Sequence, residues 1–234
     1  MRKALFLCLL PAVFSLKTNA QGIQNNISAY ELMTKAVISA HQNDKLKQQY
    51  LAYEETLLFD ESNYRGEKKP TERSTKTIQG GKTQFAGFNL SIGDLLQTLV
   101  SRHEFYFGNP ADVVLPNGKQ CIVIEFYPKQ NLESKTNEDK FINRLRGKLW
   151  IDAQNHALWR VEAAIPREEE FSFRIWRTIF FVTVNVKYLT LIFEQIEYGG
   201  IMAENLIRIE TNFIVLSATK TWLYNYYYEN YRLK

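Results

Sequence analysis

Cysteine is almost missing from this chain. Of 234 residues only Cys8 and Cys121 are cysteines, and Cys8 falls inside an N-terminal apolar run. Beyond that run no intramolecular disulfide can form, and no metal site built on several cysteines is available. Cys121 sits in the stretch CIVIEF and reads as a small buried core residue. Histidine is scarce too. His41, His103 and His156 are the only three, and none has metal-ligand spacing to another His, Cys or acid. The nucleophile elbow G-x-S-x-G does not occur. The tetrapeptide GGKT at Gly80–Thr83 invites a phosphate-loop reading, but that motif requires a glycine where the chain has Lys76. Asp152 and His156 share one turn. An Asp that caps its own backbone explains the pair better than an acid and base would, because a lone acid needs a partner that separates the two pKa values. These absences point away from an enzyme, a bound metal and a cofactor.

A membrane-spanning run is also lacking. The N-terminus reads MRK, then ALFLCLLPAVFSL, then KTNA. Positive charge, an apolar run of about a dozen residues and small residues near Ala20 are the three parts of a secretory signal. Spanning would take about 20 apolar residues. The expectation is therefore a signal peptide over residues 1–20, cleaved between Ala20 and Gln21. Cys8 lies too early for lipidation and no cysteine follows the cleavage site, so the processed chain should be soluble rather than lipid-anchored. Taking Arg2, Lys3 and Lys17 from the 29 basic residues leaves 26 against 25 acidic ones. A net charge near neutrality removes the main support for a nucleic-acid partner. No Pro/Gly/Ser linker interrupts residues 21–234, which read as a single domain.

What the chain does have is β-strand writing, with two helices marked by their caps. Ser28 and Glu31 form an S-x-x-E capping box, with Ile27 and Leu32 placed as a hydrophobic staple. Tyr30, Met33, Val37 and Ala40, with Ala36, make an apolar stripe at helical spacing. Ser91 and Asp94 repeat the cap before Leu95, Leu96, Leu99 and Val100. The run from Gln49 reads as a strand, and the polar stretch from Ser62 to Phe85 as an exposed strand with a long turn. After His103 the pattern is β throughout. Asn117-Gly118 is a strong turn signal, and KQNLESKTNEDK reads as an exposed loop. GKLWID and ALWRVEA are strands joined by Ala153–His156. In the second, alternation puts Trp159, Val161 and Ala163 on one side and Leu158, Arg160 and Glu162 on the other. Further on, Val182, Val184 and Val186 share one parity and Leu189, Leu191 and Phe193 the other. A bulge or bend near Lys187–Leu189 would restore a common face. Gly199-Gly200 turns the chain into the last strands. The tyrosines at 226–228 put rings on both faces of theirs, as edge or rim packing.

CIVIEFYPK, RGKLWIDAQNHALWRVE, LTLIFEQIEYGGIMAENLIRIE and the closing YYENYRL, in this order after an exported helix, resemble the LolA-like superfamily of periplasmic lipoprotein carriers and its lipoprotein-sorting relatives. The likeness runs from about Tyr30 to the C-terminus and is sharpest at Gly147–Asp152 and Leu158–Glu162. It implies an α+β fold, an incomplete antiparallel β-barrel wrapped round a few helices, covering 21–234. It also implies a monomer in the periplasm that binds lipid or lipoprotein acyl chains in an apolar cavity, and an envelope membrane protein as donor or acceptor. The alternative is a ligand-sensing or protein-binding module on the same scaffold. Met202-Ala203 stands where relatives often have Trp and Pro, and the polar insertion around Lys68–Lys82 is long. No ligand-contacting residue of the family maps onto this chain. Candidate cavity residues are Trp150, Trp159 and the Val182, Val184, Val186 face; alternation alone leaves open which side is concave.

Overall fold

The computed structural model describes residues 27–79, 91–115, 117–177 and 180–234. The expected cleavage site after Ala20 and the GGKT segment lie outside the described residues. Helix α1 (Ala29–Tyr50) starts at the expected box. The Glu31 N–H donates to the Ser28 hydroxyl at 3.1 Å, and the Ser28 N–H donates to the Glu31 carboxylate at 2.8 Å. Two amides that a helix start leaves open are thereby satisfied. Helix α2 (Ile92–Arg102) repeats the device with Ser91 and Asp94. The buried stripe of α1 is phased on Ala29 and runs through Leu32, Met33, Ala36, Val37 and Ala40. Tyr30, expected on the stripe, is exposed instead, since one residue along a helix is a rotation of about 100°.

Ten strands follow or flank these helices: β1 (Leu51–Asn63), β2 (Glu72–Gln79), β3 (His103–Phe107), β4 (Cys121–Pro128), β5 (Arg146–Asp152), β6 (Leu158–Ile165), β7 (Phe171–Arg177), β8 (Phe180–Tyr198), β9 (Ile201–Val215) and β10 (Ala218–Leu233). They form one antiparallel sheet in the order β2-β1-β10-β9-β8-β6-β5-β4-β3, with β7 also paired to β8. The order ends at β2 and β3, so the sheet does not close. It does curl. Helix α1 touches both β9 and β3, five strands apart in the order. The helix, 22 residues long, spans the strands between them, and the bulges on β6 and β8 add local bend and twist to the sheet. This is the expected α+β fold, an open antiparallel half-barrel around helices.

The register shifts between β1 and β10, between β5 and β6 and twice between β8 and β9; two of these shifts decide which of the expected side chains face inward. On β8, Val186 and Tyr188 pair with the adjacent residues Phe213 and Asn212, so Lys187 is the extra residue. Val182, Val184 and Val186 then share a face with Leu189, Leu191 and Phe193, as the parity switch predicts. On β6, Trp150 pairs with Arg160 and Ile151 with Leu158, which makes Trp159 the extra residue. Leu158 packs in one cluster with Val161 and Ala163, and Trp159 in another. Strict alternation had grouped Trp159 with Val161; a one-residue bulge reverses it.

One element goes beyond the sequence reading. Within KQNLESKTNEDK a short helix, α3 (Asn137–Ile142), forms on a Thr136/Asp139 capping box. Six residues are too few for helical periodicity to register. Phe141, at its end, packs its ring against Phe171 and Phe173, 4.9 and 5.4 Å away.

Candidate functional site

The concave face has a closed half and an open half. In the closed half α1 and α2 lie on the sheet. Met33 and Leu96 from the helices join Ile124, Leu149, Phe193 and Ile207 from the strands in one cluster, every one of them 0% exposed. A void of about 10 Å³ remains between helices and sheet, bordered by Ala40, Asn43, Leu158, Gln195 and Met202. That is room for about one water. In this half side chains of the helices and the sheet pack closely on one another.

Polar contacts pin α1 in this position. The Asn43 amide pairs with the Met202 backbone in both directions, its Nδ2 donating to the carbonyl at 2.7 Å and its Oδ1 accepting from the N–H at 2.8 Å. Asp44 accepts from the Gly93 N–H at the start of α2, at 2.9 Å. Lys47, buried, bridges Asp44 at 3.3 Å and Glu204 of β9. Burial alone would lower the Lys47 pKa, but the Glu204 and Asp44 carboxylates outweigh it and hold the ammonium above its ordinary value.

The open half is made by β1, β9 and β10. Alternation along β10 turns Trp222, Tyr224 and Tyr226 toward the concave side. There Tyr224 lies between Phe59 and Ile209, and Tyr226 between Leu57 and Ile207. The rings form a continuous shelf. Phe59 stacks on Tyr224 at 4.8 Å, Tyr224 on Tyr226 at 6.4 Å, and Trp222 meets Phe213 edge-on at 4.3 Å. Phe59, Trp222, Tyr224 and Tyr226 are only half-buried. Because the stacked rings spend their faces on each other, what they offer outward is edges and hydroxyls. From Trp222 to Tyr226 the shelf extends about 13 Å.

Charge brackets the shelf at both ends. Glu61 accepts from Lys220 at 2.8 Å and from the Trp222 indole N–H at 3.2 Å, and pairs with Lys69 at 3.0 Å. The Lys220 and Lys69 hydrogen bonds outweigh burial and pull its carboxyl down to about 2. At the far end Glu55 pairs with Lys76 at 2.8 Å. Burial pushes the Tyr224 phenol up to about 12 and raises Tyr226 as well, so both hydroxyls stay neutral at physiological pH.

The candidate residues from the sequence part company here. Val184 and Val186 belong to the concave cluster, and Val182 is buried at the same parity. Trp150 and Trp159 lie on the other side of the sheet, in a separate cluster with Leu115, Cys121, Val123, Ala157 and Met202. There the Trp150 indole N–H donates to the Asp112 carbonyl at 2.9 Å, Arg160 covers the Trp150 ring and Lys119 the Trp159 ring. Phe59, Trp222 and Tyr224 were not singled out, and Tyr226 was read as edge or rim packing. The period-two run Trp222-x-Tyr224-x-Tyr226 was the available signal, blurred by Tyr227 on the opposite face.

The titratable groups weighed for chemistry are engaged locally. Asp152 accepts from the N–H groups of Gln154 and Asn155 and pairs with Lys119 at 2.8 Å. Burial would raise its pKa, yet Lys119 and the two amides hold it below the usual carboxylate range. His103 is buried with Nε2 against the Leu145 carbonyl at 2.8 Å, and burial lowers its pKa. Burial pushes the Cys121 thiol up to about 12, so it is no nucleophile at neutral pH. Among the described residues no group of His, Cys, Asp and Glu is arranged to hold a metal ion, and no helix is long and apolar enough to cross a membrane.

No protein-family model matches the chain, and no curated protein matches it in sequence. Among solved structures the chain is similar to a LolA superfamily protein from Nitrosomonas europaea, at 9% identity and a TM-score of 0.33, over 89% of this chain and 94% of that one. It is also similar to MucB in complex with MucA(peri), at 10% identity and a TM-score of 0.30, over 84% of this chain and 94% of that one.

Proposed function

We propose that the protein is an exported binding protein of the periplasm that takes acyl chains of lipid or lipoprotein along the open half of its concave face and hands them on through the envelope. The observation that carries this reading is the aromatic shelf of Phe59, Trp222, Tyr224 and Tyr226, half-buried beside a core that is otherwise sealed. An acyl chain on an open shelf is screened from water on one side only. If half of about 0.8 kcal/mol per methylene is recovered, ten methylenes contribute about 4 kcal/mol, a millimolar affinity. Weak, quickly reversed binding of each chain suits a protein that must release what it carries, and two chains together suit it better than one. In this reading the protein binds without catalysis, and its donor or acceptor is a membrane protein of the envelope.

Brominated stearate tests it, because bromine quenches nearby indoles. Saturable quenching that is largely lost in Trp222→Phe, and kept in Trp150→Phe and Trp159→Phe, is the expected result. Quenching that follows Trp150 or Trp159 would move the site to the convex face and end the reading. So would the absence of acyl lipid in organic extracts of protein purified from its native envelope.

A second reading rests on β2. Among the described residues this strand ends the sheet, pairs with β1 alone and is exposed along nearly its whole length. Such an edge can accept an extended peptide as a further strand, which would make the protein a peptide-binding module. Crosslinking from Thr75 or Thr77 to a protein partner in the envelope, without lipid in the extract, would favour it.

A further inference from the structure

On the convex face the sheet is irregular twice at one place. Strands β6 and β7 lie end to end along the same edge of β8, β6 pairing with Leu189–Glu194 and β7 with Phe180–Val186. Between them the chain leaves the sheet in a short turn, Arg167–Glu169. Opposite that break lies the β8 bulge at Lys187, which turns Lys187 and Tyr188 outward together. The turn overhangs a row that crosses three strands, Tyr188, Asn212 and Thr221. Turn and row enclose an open cleft of about 470 Å³ lined by Arg167, Glu170, Lys187 and that row. Small-molecule sites run to about 300–1,000 Å³, and bulges recur beside functional sites because they re-aim side chains.

Among the described residues two charges in and around the cleft have no opposite charge bonded to them, the Glu210 carboxylate and Arg167. Lys187 bonds to Glu170. The Tyr188 hydroxyl donates to Glu210 at 2.8 Å, and the Asn212 amide donates to the Thr221 hydroxyl at 2.9 Å. Three acids follow Arg167 in sequence, and none of them takes it. Glu168 and Glu169 turn to Arg146, at 2.9 and 3.5 Å, and Glu170 is held by Lys187. Arg167 instead lies over the Tyr188 ring, 5.2 Å from its centre. A ring fixes a guanidinium without consuming its N–H donors. The cleft therefore holds one positioned cation with its fork of donors open, above a floor of amide and hydroxyl groups.

We propose that this cleft is a receptor for a small, hydroxyl-bearing ligand with one anionic group, of the sugar phosphate or uronate class. Arg167 takes the anionic group in its fork, and Asn212 and Thr221 meet the hydroxyls. The cleft and the shelf are on opposite faces, so this site stands whether or not acyl chains bind.

The test is titration of the ¹⁵N-labelled protein with glucose 1-phosphate, glucuronate, inorganic phosphate and glucose, followed by amide shifts. Glucose 1-phosphate and glucuronate should move the amides of Lys187, Tyr188 and Asn212 saturably, and glucose should not. Arg167→Ala should weaken binding about tenfold or more, Arg167→Lys should restore part of it, and Asn212→Ala should weaken it less. Arg167 is exposed, so its replacement should leave the fold intact. Lipid A vesicles that bind more tightly than free glucose 1-phosphate would place the recognised group on a lipid headgroup; equal binding would make it a free sugar acid. Inorganic phosphate binding as well as glucose 1-phosphate would overturn the proposal, reducing the site to a bare anion contact. Absence of saturable shifts, or shifts untouched by Arg167→Ala, would overturn it too.

Discussion

The two halves of the concave face are written in similar residues and closed by different means. In one half, Phe193 and Leu149 find their partners on α1 and α2 and lose all contact with water. In the other, Phe59, Trp222, Tyr224 and Tyr226 find partners on neighbouring strands and remain half in water. Apolar alternation along a strand fixes which side is inward. It does not fix whether anything arrives to cover that side. Helices cover one half here, and the other is left as a surface.

That contrast can be broken by measurement, beginning where the effect is largest. Phe193→Ala should lower stability in urea by about 3–5 kcal/mol, the cost of emptying a sealed site. Tyr224→Ala should cost less, about 1–2 kcal/mol, since a ring pair contributes about 0.5–1.5 kcal/mol and part of the side chain is already exposed. Equal losses would mean that the open half is as closed as the other. Glu204→Ala, which leaves the buried Lys47 ammonium with Asp44 alone, should cost about 3 kcal/mol. Adding Lys47→Met should recover most of that loss; failure to recover it would show that Glu204 holds the helix by something other than charge. The smallest effect is electrostatic and belongs to the open half. The Glu61 carboxyl is held below its ordinary value of 4.5, at about 2. A depressed acid contributes stability that is present above the ordinary value and lost as pH falls through the depressed one. Carboxyl NMR of Glu61 should therefore show no titration until well below pH 4.5, and Lys220→Met should move its midpoint back toward that value.

Much of this architecture was legible in the sequence, for identifiable reasons. Ser28 and Ser91 announce their helices because a capping box is a local, four-residue pattern. The β8 bulge is legible because three valines on one parity are followed by three large apolar residues on the other. The β6 bulge is not, because Leu158 and Trp159 are both apolar and either can face inward. Neither is α3, whose Thr136/Asp139 box lies in polar surroundings with a single turn and a half behind it. The resemblance supplied the half-barrel but could not say whether its interior was empty. That depended on how closely Met33 and Leu96 approach Ile124 and Phe193, a matter of volumes meeting across the sequence. The shelf was hidden by its own composition, since WLYNYYY places Tyr227 outside and leaves its neighbours looking like rim.

The pairing of β1 with β10 has a temporal side. β1 is thirteen residues long, and its partner on one edge is β10, far along the sequence, with Leu51 opposite Leu233. A chain made or threaded from its N-terminus therefore exposes that edge until β10 has appeared. Its other edge is taken early by β2. The free edge carries Leu57 and Phe59, the residues that later meet the tyrosines, and so the stretch that completes the shelf is also the one most in need of protection while the protein is being born.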